Sequence, residues 1–267
     1  MVAKKTTVQE SVTIHQIEKK YTKLRIIGET GLYMNSMSAK AKRDLLIGAA
    51  RKTAAEKKEI KHNPELEFQS SMHTQKVGPT LLCFPASGVK AAMATAALET
   101  PGINKTSVNR NLFVGGTITG PDATEHTRAN INIYGKPYLK IDVVRSADMN
   151  KTPDMRSRAF LPRWCAELEI KYTVPTFGFT DIVSLLSNAG LLIGIGDFRQ
   201  EKGKGGFGVW NVHNAEDMEE DAQREWDEIV CENRAVQQEA FDNVECYDED
   251  TRELLAIVKQ ERMRRAA

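Results

Sequence analysis

The stretch Ile193–Trp210, IGIGDFRQEKGKGGFGVW, limits what this chain can fold into more than any other. Six of its eighteen residues are glycine, and Arg199, Lys202 and Lys204 add three cations. Before it stands TDIVSLLSNAGLLIG, which predicts a buried helix capped by Thr180; after it stands FGVWNV, which predicts a strand. The fold must therefore join a helix to a strand through backbone free to take left-handed dihedrals. Consecutive amides in such a loop form an anion-binding concavity, and the three cations suit phosphates. The string Gly203-Lys204-Gly205-Gly206-Phe207-Gly208 has the glycine spacing of a dinucleotide-binding turn. Such a turn needs a strand before it and a helix after it, the reverse of the order here. No HRD or DFG segment follows, and neither GxxxxGKS nor GxxxxGKT occurs, which removes protein kinases and P-loop NTPases.

The remaining segments supply a frame for that loop. YTKLRIIGETGLYM (21–34) predicts β structure turned at Gly-Glu-Thr-Gly, and SAKAKRDLLIGAARKTAAEKKEI (38–60) predicts a basic surface helix capped by Ser38. TLLCFPASGVKAAMATAALETPG (80–102) predicts a short strand into Pro85, then an alanine-rich helix capped by Ser87 and ended near Pro101-Gly102. NLFVGGTIT and YLKIDVVRS predict strands, ADMNKTPDMRSRAF a loop, and RWCAELEIKYTV a further strand broken by Pro175 and Gly178. With its insertions removed the order is β, α, strands, α, β, that of a ferredoxin-like or RRM-type α+β domain. From Asn214 onward the chain is helix-prone, with Trp226, Ile229 and Val230 forming one apolar stripe.

A net charge of +1 conceals a division. Residues 1–213 carry 30 Lys and Arg against 19 Asp and Glu, whereas 214–267 carry 7 against 17. A basic body, 1–213, followed by an acidic helical extension, 214–267, suggests a polyanion as partner of the body. No eighteen apolar residues run together and MVAKKTTVQE lacks the apolar core of a secretion signal, so a cytoplasmic protein without membrane contact is expected. Four cysteines form no CxxC and five histidines no HxxxH, so reduced thiols and neither metal nor other cofactor are expected. Ser87, His73, Cys83 and Asp142 make no nucleophile–base set, and no enzymatic activity is expected. Blander roles stand beside the functional ones. Lys90 reads also as a solvent-facing lysine, and Arg156, Arg158 and Arg163 as surface ion-pair partners of small energetic weight. Phe207 and Trp210 read as core residues.

Three segments together resemble the RAMP superfamily, and within it the backbone subunit that sheathes the guide RNA in multi-subunit CRISPR effector complexes. FPASGVKAAMATAAL (84–98) is similar to that family's proline–small–serine–x–x–Lys entry into the first core helix. TPDMRSRAFLPRW (152–164) is similar to its basic segment ahead of a core strand, and LLIGIGDFRQEKGKGGFGVW (191–210) to its glycine-rich signature. The likeness covers most of residues 21–212. It implies an RRM-type core with a finger-like insertion at 38–79 and a thumb-like one at 104–157. The implied partners are single-stranded nucleic acid, guide RNA above all, copies of the same chain in a helical assembly, and other effector subunits. The implied nucleic-acid contacts are Ser87, Lys90, Arg156, Arg158, Arg163, Arg199, Lys202, Gly203, Lys204, Gly205 and Gly206. Some relatives cut target RNA with a loop aspartate; Asp148 and Asp154 fall in a predicted loop, but neither aligns with that residue and no cleavage is assigned. The acidic extension departs from the family pattern. Two other readings stay open: a single-stranded DNA-binding or annealing protein of viral type, and a structural protein that assembles without nucleic acid.

Overall fold

The computed structural model describes residues 16–48, 62–116, 129–145, 153–202 and 205–266. Strand β1 (Glu18–Gly28) turns at Glu29–Gly31 into β2 (Leu32–Tyr33), and α1 (Ala39–Ile47) and α2 (Pro64–Ser71) follow. Then come β3 (Cys83–Pro85), α3 (Ala86–Ala96), α4 (Lys105–Asn111), β4 (Leu112–Gly116) and β5 (Asn130–Asn132). The hairpin β6 (Tyr138–Arg145) and β7 (Pro153–Leu161) leads into β8 (Cys165–Val174) and α5 (Phe179–Leu192). After a 3₁₀ turn, Gln200–Lys202, β9 (Trp210–Asn214) closes the core, and α6 (Glu220–Val230), α7 (Arg234–Asp242) and α8 (Glu249–Ala266) complete the chain.

One sheet of four strands, ordered β4-β8-β1-β9 and antiparallel throughout, carries the fold. Taken with α3 between β1 and β4, and α5 between β8 and β9, the chain traces the βαββαβ path of a ferredoxin-like core, as the order of sequence patterns predicts. Alternation drives it. Leu24 and Ile26 of β1 and Ala166, Leu168 and Ile170 of β8 are fully buried beneath Val89, Met93 and Ala96 of α3 and Ile182, Leu185 and Leu186 of α5. Small alanines on α3 let it lie close to α5, while the larger side chains fill the layer between helices and strands. A second sheet, β2-β7-β6, and a small β3-β5 pair flank this core.

Several local expectations change in the folded chain. The expected loop before β8 is in part a strand, because Ser157–Leu161 are buried and β7 pairs with β6 from Tyr138↔Phe160 to Arg145↔Pro153. Ser87 does not cap α3: the helix begins at Ala86 behind Pro85, with no side-chain cap, and ends at Ala96 rather than near Pro101. Thr180 does not cap α5 either; Gly178 stands at its cap and its amide donates to Asp181 Oδ2 at 2.7 Å. Ser38 does cap α1, accepting from the Ala41 amide at 3.2 Å. That helix, expected to run to 60, stops at Ile47, where Gly48 takes a φ of 81° that a helix cannot continue through; 49–60 and the thumb-like stretches 117–128 and 146–152 lie outside the described residues.

The acidic extension packs on the body instead of trailing from it. Trp226 and Ile229 of α6 are buried with Ile27 and Cys165. Gln237 of α7 has no exposed surface; its Oε1 accepts from the Leu81 and Leu82 amides at 2.9 and 3.0 Å, and its Nε2 donates to the Ile133 and Gly135 carbonyls at 2.8 and 3.0 Å. Leu255 of α8 joins the main core. Around these anchors the extension's carboxylates meet cations of the body: Glu228 with Arg163 at 2.9 Å, Glu245 with Lys136 at 2.8 Å, and Asp248 with Lys140 at 3.4 Å. Cys83 and Cys165 are unbridged and buried, and burial pushes the Cys83 thiol up to about 11. Among the described residues no helix is long and apolar enough to cross a membrane.

Candidate nucleic-acid interface

The glycine-rich segment folds back on itself. The Ile195 amide donates to the Gly208 carbonyl at 3.0 Å and the Phe207 amide to the Phe198 carbonyl at 3.3 Å. Both passes are then fastened to the β1–β2 turn, through Gly208 N–H to Gly31 O at 2.9 Å and Asp197 N–H to Tyr33 O at 3.1 Å. This doubling explains much of the glycine content. Gly208 has φ of 71°, and a Cβ there would fall on the Ile195 carbonyl; one at Gly205 would fall on the Phe198 carbonyl. Gly206 differs, because a Cβ there would meet nothing within 4 Å. Trp210 is buried, as its reading as a core residue predicts, whereas Phe207 is only half-buried and packs edge-on against Tyr33 and Phe160, at centroid distances of 4.9 and 5.9 Å.

Arg158 holds the entrance of this segment. Its side chain is 6% exposed and lies between the rings of Tyr33 and Phe198, at 4.6 and 4.4 Å from their centroids. One terminal nitrogen donates to Asp197 Oδ2 at 2.6 Å and the other to Asp142 Oδ2 at 3.1 Å. Phe198 takes a positive φ of 53°, a backbone state that side chains seldom adopt, and the stacked guanidinium helps to hold it. Burial, reinforced by the charge of Asp142 and a hydrogen bond to it, drives the Tyr33 hydroxyl far above its usual pKa. Arg158 is thus a buried tie between the β6–β7 hairpin and the glycine segment, not a residue presented to a polyanion. Asp142, Asp197, Tyr33 and Phe198 form its setting. Sequence reasoning has no signal for that cluster, because its five residues come from four separate segments, with only Asp197 and Phe198 adjacent, and meet only in the fold.

A groove runs between α3 and this segment. Gly88, Ala91, Ala92 and Thr95 line one wall, Ile193–Gly196 the other, and Arg199 and Glu201 stand at its mouth, enclosing about 230 Å³. Phe84, Ile193 and Ile195 also line it, but at Gly88, Gly194 and Gly196 the wall is bare backbone that an extended polymer can approach closely. Arg199 donates to Glu201 at 2.8 Å and to the Gly196 carbonyl at 3.2 Å, which orients the guanidinium at the rim. Ser87, exposed in the first turn of α3, lies one helical turn from Ala91 along the same edge.

The remaining expected contacts are dispersed. Lys90 projects from the opposite side of α3, where Nζ donates to the Asn109 carbonyl at 2.9 Å and sits 5.0 Å from the Phe113 ring; partial burial lowers its pKa. Arg156 is exposed on β7, opposite Asp142 in the hairpin register. Arg163, in the turn before β8, is engaged by Glu228 and, at 3.5 Å, by Glu232 of the extension. The Lys202 side chain, Gly203, Lys204 and Asp148 lie outside the described residues. Asp154 is on β7, with His62 Nε2 at 3.2 Å from its Oδ1.

No family model matches the chain, and no curated protein does. Among solved structures, a chain of the "Cryo-EM structure of the Type III-B Cmr-beta bound to cognate target RNA" superposes with a TM-score of 0.33 and 13% identity. The superposition takes in 73% of this chain and 59% of that one, so this chain spans less than two thirds of that chain's length. At that similarity the function has to be argued from this chain's own residues.

Proposed function

We propose that the chain is a non-catalytic, repeating subunit that holds a single strand of RNA by its phosphates within a CRISPR-type ribonucleoprotein. The observation that carries this reading is the groove between α3 and the glycine segment, with bare backbone at Gly88, Gly194 and Gly196 and Arg199 among its lining residues; further along the segment Gly206 is open to approach. Ser87 lines the same edge, and Lys202 and Lys204 follow Arg199 in sequence. Phosphate contacts of this sort fix a backbone without reading bases, so binding is sequence-tolerant and salt-sensitive. The likeness of three sequence segments to guide-RNA-sheathing subunits favours RNA over DNA. Leu45, Leu46 and Ile47 of α1 are largely exposed, an apolar run suited to contact between neighbouring copies.

The test is a salt titration. Replacing Arg199, Lys202 and Lys204 together by Ala weakens binding of labelled oligo-uridine and lowers the slope of log affinity against log salt by about 2, at roughly 0.7 per phosphate neutralised on a single strand. An unchanged slope would leave the segment as a packed turn and remove the reading.

A further inference from the structure

The face of the four-stranded sheet turned away from α3 and α5 is divided in two. Toward Ile27 and Cys165 it is covered by α6. At the other end, among the described residues, two large aromatic side chains stand in the open: Tyr21 of β1 is 62% exposed and Phe113 of β4 is 48% exposed. They are not scattered. Tyr21 is the register partner of Lys171 on β8, and Lys171 is the partner of Phe113, so the three form a single row across three strands. Register partners present their side chains to the same face, so the rings flank one lysine, about 10 Å apart by the usual strand spacing.

The chemistry along this row is consistent. Lys171 Nζ lies 5.2 Å from the Tyr21 centroid, and Lys90 Nζ lies 5.0 Å from the Phe113 centroid at the sheet edge. In the next row Lys23 and Gly115 both pair with Glu169. Gly115 contributes no side chain, and a recess of about 310 Å³ opens there, lined by Lys19, Tyr21, Phe113, Glu169 and Lys171. Around the row stand Lys19, Lys23, Lys90 and Lys171 against two carboxylates: Glu169, which Lys171 approaches at 3.8 Å, and Glu216, which shares a neighbouring recess with Tyr21 and Lys23. Exposed ring faces interleaved with a surplus of cations suit a ligand that is planar and apolar in one part and anionic in the next. Unpaired bases on a phosphate backbone have that character; a duplex, whose bases are already stacked on one another, does not.

We propose that the bare end of the sheet is a base-stacking platform, on which Tyr21 and Phe113 receive bases of single-stranded nucleic acid while Lys19, Lys23 and Lys171 meet the flanking phosphates. The platform shares its ligand class with the groove reading but none of its residues, and the two fail separately. Fluorescence anisotropy with labelled ten-residue oligo-uridine and oligo-thymidine, on the full chain, tests it. Tyr21→Ala and Phe113→Ala each weaken binding about ten-fold, within the range measured for loss of one base–aromatic stack, and leave the salt slope unchanged because no charge is removed. The groove variant changes the slope instead. Tyr21→Trp keeps the affinity, and its added fluorescence is quenched as oligonucleotide saturates, a direct sign of stacking that does not depend on how the alanine variants fold.

Affinity of the Tyr21→Ala/Phe113→Ala double variant within two-fold of the parent would overturn the platform. So would Tyr21→Trp emission indifferent to oligonucleotide, or quenched equally by poly-glutamate, which would mark a protein-docking face. Failure of the parent chain to bind either oligonucleotide would overturn platform and groove together.

Discussion

The covered and bare ends of the open sheet face are made by the same strands in one continuous register, yet they hold opposite contents. At the covered end Arg25 is engaged on every side, with Glu167 at 3.5 Å, Met218 Sδ and Gln223 Oε1 each at 3.3 Å, and the Trp226 ring at 4.6 Å. At the bare end, four residues back along the same strand, Tyr21 points to solvent. The difference follows from where the acidic extension packs. It is a fitted cap whose carboxylates pair with Arg163, Lys136 and Lys140 around its own footprint. Lys19 and Lys171 line a recess that no residue of the extension enters, whereas Lys23 shares one with Ala215 and Glu216 at the extension's start.

Substitutions at the two ends should therefore separate cleanly, and the largest effect is expected under the cap. Trp226→Ala removes the ring that fills the space over Ile27 and Cys165 and should cost about 3–5 kcal/mol in denaturant unfolding. A loss below about 1 kcal/mol would mean that α6 merely rests on the sheet. Arg158→Met, at the other fastening point of the fold, strands two carboxylates that are themselves partly exposed, and a loss of about 2 kcal/mol is expected, below the full figure for a broken buried pair. Arg25→Ala, which forfeits a cation–ring contact and a largely covered but long ion pair at 3.5 Å, should cost about 1 kcal/mol. Smallest of all is Tyr21→Ala, with stability within about 0.5 kcal/mol of the parent while its oligonucleotide affinity falls. A Tyr21 variant that unfolds as readily as the Trp226 one would erase the distinction between the two ends.

The core was legible because local patterns carry it: the alanine-rich run at 86–96 and the apolar run at 179–192 identify two helices, and their place among strand-like segments gives the βαββαβ order. The β7 strand was hidden, since its less buried half, Pro153–Arg156, opens on a proline and mixes charged with apolar residues, and its pairing with β6 is a tertiary fact. Caps at Ser87 and Thr180 were misplaced for a common reason. Pro85 and Gly178 start their helices earlier, and the hydroxyl then falls inside the first turn. Of the expected contacts, Arg199, Gly205 and Gly206 lie together on the doubled glycine segment, whereas Lys90, Arg158 and Arg163 turn to other partners. A charge count cannot foresee such pairings, because each joins residues distant in sequence. The exposed row did leave a trace: Lys19, Tyr21, Lys23 and Arg25 alternate with the buried Leu24 and Ile26, the period-two signature of a strand with one wet face. That Phe113 would stand beside Tyr21 depended on a register only folding reveals.

Gln237 has a consequence for how the molecule is made. A nascent chain released only as far as β9 owns every strand of the central sheet, yet the Leu81 and Leu82 amides and the Ile133 and Gly135 carbonyls still await the side chain that closes them. Until that glutamine is made, these four backbone groups lack the partner the folded chain gives them, and the core is complete only when Leu255, later still, has joined it.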